Sequence, residues 1–175
     1  VKLRADTSGQ RKKRWIVTAR VLIVDRHTLF REALKGTFEA RSDYEVVGEA
    51  STGFDAVDLA QRLQPDLVLL DLSLPGLSGL AVLRLLGQQM PDLKKIVITS
   101  SEDESDILEA VQAGANGYVL KTASVDSLME QLKDVATGGV AMTEQVTQKL
   151  MHALTKQQTA SALDERQLHQ SLKPQ

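Results

Sequence analysis

Two unbroken apolar runs, each ending in an aspartate, constrain this chain more than any other feature. They are Val21-Leu22-Ile23-Val24-Asp25 and Leu67-Val68-Leu69-Leu70-Asp71. Four consecutive apolar residues predict a strand covered on both faces, as in a parallel sheet. A carboxylate at the end of such a strand emerges at the carboxyl edge, where ligands bind in open α/β sheets. Two strands that deliver carboxylates to one edge point to a metal or phosphoryl site. Arg26, directly after Asp25, puts a cation where such a site would want another anion.

Between residue 20 and about residue 138 the sequence alternates strand and helix patterns. Strands are expected at about 20–25, 45–50, 67–71, 96–99 and 118–120. The first helix, at about 28–40, places Leu29, Phe30, Ala33, Leu34, Thr37 and Phe38 on one face. The second starts near Thr52, a capping residue three positions before Asp55, and the third near Gly79. Ser101 and Glu104 have capping-box spacing for the fourth, and Ser124 with Asp126 opens the fifth. Five such units predict a doubly wound five-stranded parallel sheet with helices on both faces. The expected fold is flavodoxin-like with strand order 2-1-3-4-5, which sets Asp25 beside Asp71. Val146, Leu150 and Leu154 predict an extra C-terminal helix over 141–156, and the Gln- and Ser-rich residues 157–175 read as a linker.

Charge is distributed unevenly. Residues 1–20 hold seven cations and one acid, whereas residues 21–142 hold ten cations and nineteen acids. Residues 1–19 therefore read as a basic flexible arm before an acidic body, with Arg11-Lys12-Lys13-Arg14 open to an acidic partner or to solvent. The absence of cysteine excludes disulfides, thiol catalysis and thiolate metal sites, and fits a reducing cytoplasm. His27, His152 and His169 are too scattered for a zinc site. No apolar stretch approaches the ~20 residues that span a bilayer.

Five strand ends bring Asp25 and Arg26, Asp71, Thr99, and Lys121 to one edge. A carboxylate can act as nucleophile, an ammonium can neutralise phosphoryl oxygens, and a hydroxyl can bond the arriving group. With Pro65–Gly76, Ile98-Thr99-Ser100 and Ala113–Lys121, these residues resemble the receiver domain of bacterial two-component response regulators. The likeness covers residues 20–140. The wording of Leu29-Phe30-Arg31-Glu32, Val47-Gly48-Glu49-Ala50 and Gly114–Lys121 is similar to the NarL/FixJ type, whose receiver precedes a LuxR-type helix-turn-helix.

The resemblance implies a phosphorelay protein in transcription regulation, not an enzyme beyond its own phosphoryl uptake and loss. It implies Asp71 as phosphoacceptor, Thr99 as switch hydroxyl, Tyr118 as switch aromatic and Lys121 as contact to the phosphoryl oxygens. It implies Mg²⁺ held by Asp25, Asp71 and the Ser73 carbonyl. Its implied partners are a sensor histidine kinase, a second copy in a homodimer, and DNA only through a C-terminal domain beyond Gln175. Arg26 departs from the pattern, because the family usually has a metal-binding acid there. A guanidinium removes a ligand and repels the cation, and it can pair bidentately with a carboxylate. The expectation is that Arg26 occupies the metal's place, bonds Asp71 or Asp25, and weakens or abolishes the Mg²⁺ site; the alternative is that Arg26 swings to solvent and a weakened metal site persists. An alternative is a pseudo-receiver that dimerises or docks without phosphate. A flavin or nucleotide protein of this fold would need a glycine-rich loop after the first strand. The sequence there is Arg26-His27-Thr28-Leu29.

Overall fold

The computed structural model describes residues 2–4 and 16–171. The basic tetrad at 11–14 lies outside the described residues. In chain order the elements are β1 (Lys2–Arg4), β2 (Ile16–Val24), α1 (Thr28–Glu39), β3 (Tyr44–Ala50), α2 (Gly53–Leu63), β4 (Leu67–Leu70), α3 (Gly79–Gln89), β5 (Lys94–Thr99), α4 (Glu104–Gln112), β6 (Gly117–Leu120), α5 (Val125–Ala136), β7 (Ala141–Met142) and α6 (Glu144–Ser171).

Strand β2 pairs in parallel with β3 and β4; β4 then pairs with β5 and β5 with β6. The sheet is larger than the five strands expected. The short β7 extends it beyond β6, and β1 pairs antiparallel with the first residues of β2. Neither addition was legible. Two residues are too few to show a period, and β1 falls inside the polar basic arm.

Alternation along each strand feeds two cores. Leu22, Val24, Val68, Leu70, Val97 and Tyr118 pack with residues of α2, α3, α4 and Val146 of α6. Val21, Ile23, Leu67, Leu69, Ile96, Ile98 and Val119 pack with residues of α1 and α5. This is why the strands read as continuous apolar runs: both faces are covered.

The helix starts follow local chemistry. Thr52, Ser78 and Ser124 accept hydrogen bonds from the amides of Asp55, Ala81 and Ser127. Helix α4 differs from expectation. Asp103, not Ser101, precedes its first residue, and Glu104 does not close a capping box. The Ser101 hydroxyl instead donates to Asp106 at 2.5 Å. The buried face of α1 is also narrower than its apolar pattern, for Leu34 and Phe38 are buried while Leu29 is 81% exposed. Leu29 sits in the first turn, beside the loop that carries the site.

The C-terminal helix does not stop at 156. It runs 28 residues to Ser171. The Gln, Ala, Glu, Arg and Leu that obscured any apolar period are good helix formers, and no Gly or Pro interrupts them. Its first half lies along α4. Glu104 pairs with His152 at 2.6 Å and Lys156 at 3.1 Å, Lys149 donates to the Glu102 carbonyl, and Gln145 donates to the Glu102 carboxylate. Hydrogen bonds from His152 and Lys156 hold the Glu104 carboxyl below its ordinary range. A depressed folded-state value contributes stability above the unfolded value and loses it as pH falls through the folded one. Acid titration from about pH 5 to 3 is therefore expected to loosen α6 from α4. NMR shifts of residues 144–156 check this, and Glu104→Gln should remove the step.

Candidate functional site

Backbone bonds fix the strand ends before any side chain acts. The Asp25 amide donates to the Ala50 carbonyl, the Asp71 amide to the Val24 carbonyl at 2.9 Å, and the Lys121 amide to the Thr99 carbonyl at 2.8 Å. The carboxyl ends of β2, β4, β5 and β6 are thereby tied into one edge. Gly79, at the start of α3, lets that helix press directly on the Asp71 carbonyl and the Leu72 backbone; a Cβ there would collide with both.

Asp25 and Asp71 are buried, 0% and 2% exposed. One ammonium bridges them: Lys121 Nζ lies 2.9 Å from Asp71 Oδ2 and 2.6 Å from Asp25 Oδ2. The first contact is a hydrogen bond, whereas Asp25 Oδ2 has an ion pair without hydrogen-bond alignment. The same ammonium stands 4.6 Å from the centre of the Phe30 ring, which walls one side. Asp25 Oδ1 accepts from the His27 amide at 2.7 Å and lies 3.0 Å from His27 Nδ1. Asp71 Oδ1 accepts from the Ser73 amide at 3.3 Å. Arg31 donates to the Asp25 carbonyl at 2.6 Å and reaches Glu49 at 3.6 Å, so it braces the loop.

The expected pairing of Arg26 with Asp71 or Asp25 does not occur. Arg26 is exposed, and Lys121 fills the position between the carboxylates. The geometry explains the difference. Lys121 enters from the far end of the sheet on a long side chain, whereas Arg26 leaves β2 in the residue after Asp25 and turns outward.

Thr99 is buried at the end of β5, and its hydroxyl accepts from the Ser101 amide at 3.3 Å. The Tyr118 ring is fully buried under α4, and its hydroxyl donates to the Ser101 carbonyl at 3.0 Å. Burial raises the Tyr118 phenol above its ordinary range, so it stays a donor. Ser101 thus joins Thr99, Tyr118 and, through Asp106, helix α4. Sequence reasoning missed this junction because it spent Ser101 on a capping box. It also missed Phe30 and Arg31 as site walls; their only signal was proximity to Asp25 in the chain.

The structure thus brings Asp25, Asp71 and Lys121 into direct contact, with Ser73 on Asp71. Thr99 and Tyr118 meet at Ser101 on the neighbouring strands. A cleft of about 860 Å³ lies at the opposite edge, lined by residues such as Tyr44, Pro65, Met90 and Leu132, and none of the site residues lines it. No helix among the described residues is long and apolar enough to cross a membrane.

Comparison with known proteins agrees with this geometry. Residues 21–133 match the model of the response regulator receiver domain. The chain is 37% identical over 131 residues to the transcriptional regulatory protein DegU of Brevibacillus brevis, covering 75% of this chain and 56% of the relative. It is 35% identical over 150 residues to the nitrate/nitrite response regulator protein NarL of Escherichia coli K12, covering 86% and 69%. The chain thus spans between about half and two thirds of these relatives. Among solved structures, a LuxR-family two-component response regulator from an Aurantimonas species superposes with a TM-score of 0.74 at 31% identity, covering 79% of this chain and 99% of that one. None of these likenesses supports a pseudo-receiver.

Proposed function

Since the chain belongs to the response regulator receiver domain family, within its NarL/LuxR branch, we propose that Asp71 is its phosphoacceptor and that a sensor histidine kinase is the donor. The observation that carries this reading is the Lys121 ammonium 2.9 Å from Asp71 Oδ2, at the carboxyl edge of the sheet. In the transfer, an Asp71 oxygen attacks phosphorus, the phosphorus–nitrogen bond of the donor phosphohistidine breaks, and the imidazole nitrogen keeps the electron pair. Lys121 is placed to meet the charge on the phosphoryl oxygens. The Ser73 amide holds the second carboxylate oxygen.

The output path runs through Ser101. Thr99 and Tyr118 both bond that residue, Ser101 bonds Asp106, and the adjoining Glu102 and Glu104 hold α6. A phosphoryl group that draws the Thr99 hydroxyl changes the hydrogen bonding of Ser101 and with it the grip on α6. Dimerisation through a second copy, and control of DNA binding by a further domain, are the outputs proposed. A receiver body over 20–140, preceded by a basic N-terminal segment, completes the proposed organisation.

Receiver domains generally bind Mg²⁺ at an acidic edge, and here Asp25, His27 and Asp71 can each offer a ligand atom within 4.8 Å of the others. This set fits Mg²⁺ poorly. The ion wants about six hard oxygens in octahedral order. One of the three donors is an imidazole nitrogen, and both carboxylates already contact Lys121. The next residue along the loop from Asp25 is a guanidinium.

A small phosphodonor such as phosphoramidate tests the reading. The expected result is one phosphoryl mass increment by intact mass, lost in Asp71→Asn, with NMR shifts at Thr99, Ser101, Tyr118 and along α6. An increment that survives Asp71→Asn would refute the assignment.

A further inference from the structure

The mismatch between this pocket and a divalent cation has a positive side. The two buried carboxylates, Asp25 and Asp71, are balanced by an ammonium that touches both. A second cation, Arg26, stands in the loop at the same edge and pairs with neither. Two negative charges therefore meet two positive ones, all from the protein. An arriving phosphoryl group adds negative charge that must be met at the mouth of the pocket. Lys121 already neutralises part of the carboxylate charge below and can meet only a share of the new charge. Arg26 is not committed to either, and its planar fork suits two phosphoryl oxygens at once.

We propose that this site takes up a phosphoryl group without Mg²⁺, with the Arg26 guanidinium and the Lys121 ammonium supplying the charge that a divalent cation would supply. The proposal rests on Asp71 as acceptor. With phosphoramidate the step balances: an Asp71 oxygen bonds phosphorus, the phosphorus–nitrogen bond breaks, and the already protonated nitrogen keeps the electron pair and leaves as ammonia. Arg26 moves inward from its exposed position only once the anion is present. Before that, bonding Asp25 or Asp71 would bring two cations against each other at Lys121. This accounts for the exposed Arg26 of the unphosphorylated protein, and it makes Arg26 a phosphoryl-binding residue rather than a plug.

The same features make the cation repellent to metal. A Mg²⁺ ion entering beside Asp25 would face an ammonium at 2.6 Å from the one carboxylate oxygen that lacks a hydrogen bond. It would also meet Arg26 in place of a ligand.

The experiment compares phosphoramidate uptake in EDTA and in Mg²⁺ for the parent protein, Arg26→Met and Arg26→Asp, read by intact mass. Mg²⁺ titrations of the unmodified proteins are followed by NMR. The expected parent rate is equal in both buffers, with no shifts at Asp25 or Asp71 on adding Mg²⁺. Arg26→Met should slow uptake in EDTA by about 100-fold, the loss typical of removing one donor to a developing charge. Arg26→Asp should gain Mg²⁺-dependent shifts at Asp25 and require the metal for uptake. Arg26 lies in an exposed loop, so both variants should fold; unchanged amide spectra elsewhere verify that. Parent uptake confined to Mg²⁺ buffer would overturn this inference and leave Asp71 as acceptor. No parent uptake in either buffer would overturn both. Unchanged EDTA uptake in Arg26→Met would also overturn it, since metal independence would then owe nothing to Arg26.

Discussion

Lys121→Met is expected to destabilise the domain by about 3 kcal/mol, the lower end of the range for removing one partner of a buried ion pair. The methionine keeps much of the length but withdraws the positive charge that bridges Asp25 and Asp71, whose side chains are 0% and 3% exposed. The two carboxylates are then left facing each other without compensation. The value sits low in the range because Lys121 itself is 13% exposed, so water can enter the pocket mouth. Urea unfolding at neutral pH measures the loss. The double variant Lys121→Met/Asp25→Asn should recover most of it, because only one buried charge then remains. A single-variant loss below about 1 kcal/mol would show that the carboxylates are compensated without the ammonium, by Arg26 swinging in once the repulsion from Lys121 is gone, and would overturn the cost assigned to the bare pair.

Phe38→Ala is expected to cost about 3–5 kcal/mol, the usual penalty for emptying a buried aromatic site. Phe38 is fully buried in the core between the sheet and helices α1 and α5, and its ring meets Tyr44 edge-on at a centroid distance of 5.2 Å. The loss should appear in urea unfolding with phosphoryl uptake per folded molecule unchanged, because Phe38 lies in the last turn of α1, at the far end of that helix from the strand ends that carry the site. Phe38→Leu should recover more than half. A cost under about 1 kcal/mol would show that α1 closes over the cavity.

The two variants probe parts of the molecule that were unequally legible. Phe38 was readable, since a helix with apolar residues at three- and four-residue spacing over a parallel sheet must bury that face. So were the positions of Asp25, Asp71, Thr99 and Lys121, because strand ends are fixed by the apolar runs that precede them. What those side chains do to one another was not readable. The reach of Lys121 across to Asp25 depends on strand spacing and side-chain length, neither of which has a sequence period. Arg26 misled for the same reason: its chemistry allows a bidentate bond, but its place in the loop turns it outward. Leu29 misled differently. An apolar residue in a first turn satisfies the helical pattern whether or not anything lies opposite it. The length of α6 escaped because a solvated helix needs no apolar stripe, only the absence of breakers.

Helix α6 parts from the body after Gln157, whose side chain takes a hydrogen bond from Gln112 of α4. The fourteen residues from Gln158 to Ser171 continue without a break, about 21 Å at the rise of an α-helix. An arm of that length multiplies angle into distance: a tilt of roughly 10° at α4 carries its tip about 4 Å sideways. The Glu104 contacts with His152 and Lys156 sit near the base of the arm and act as its fulcrum. A change too small to unseat any core residue can therefore become a displacement the size of a side chain at Ser171. The exposed Leu163 and Leu168 ride on the part that moves.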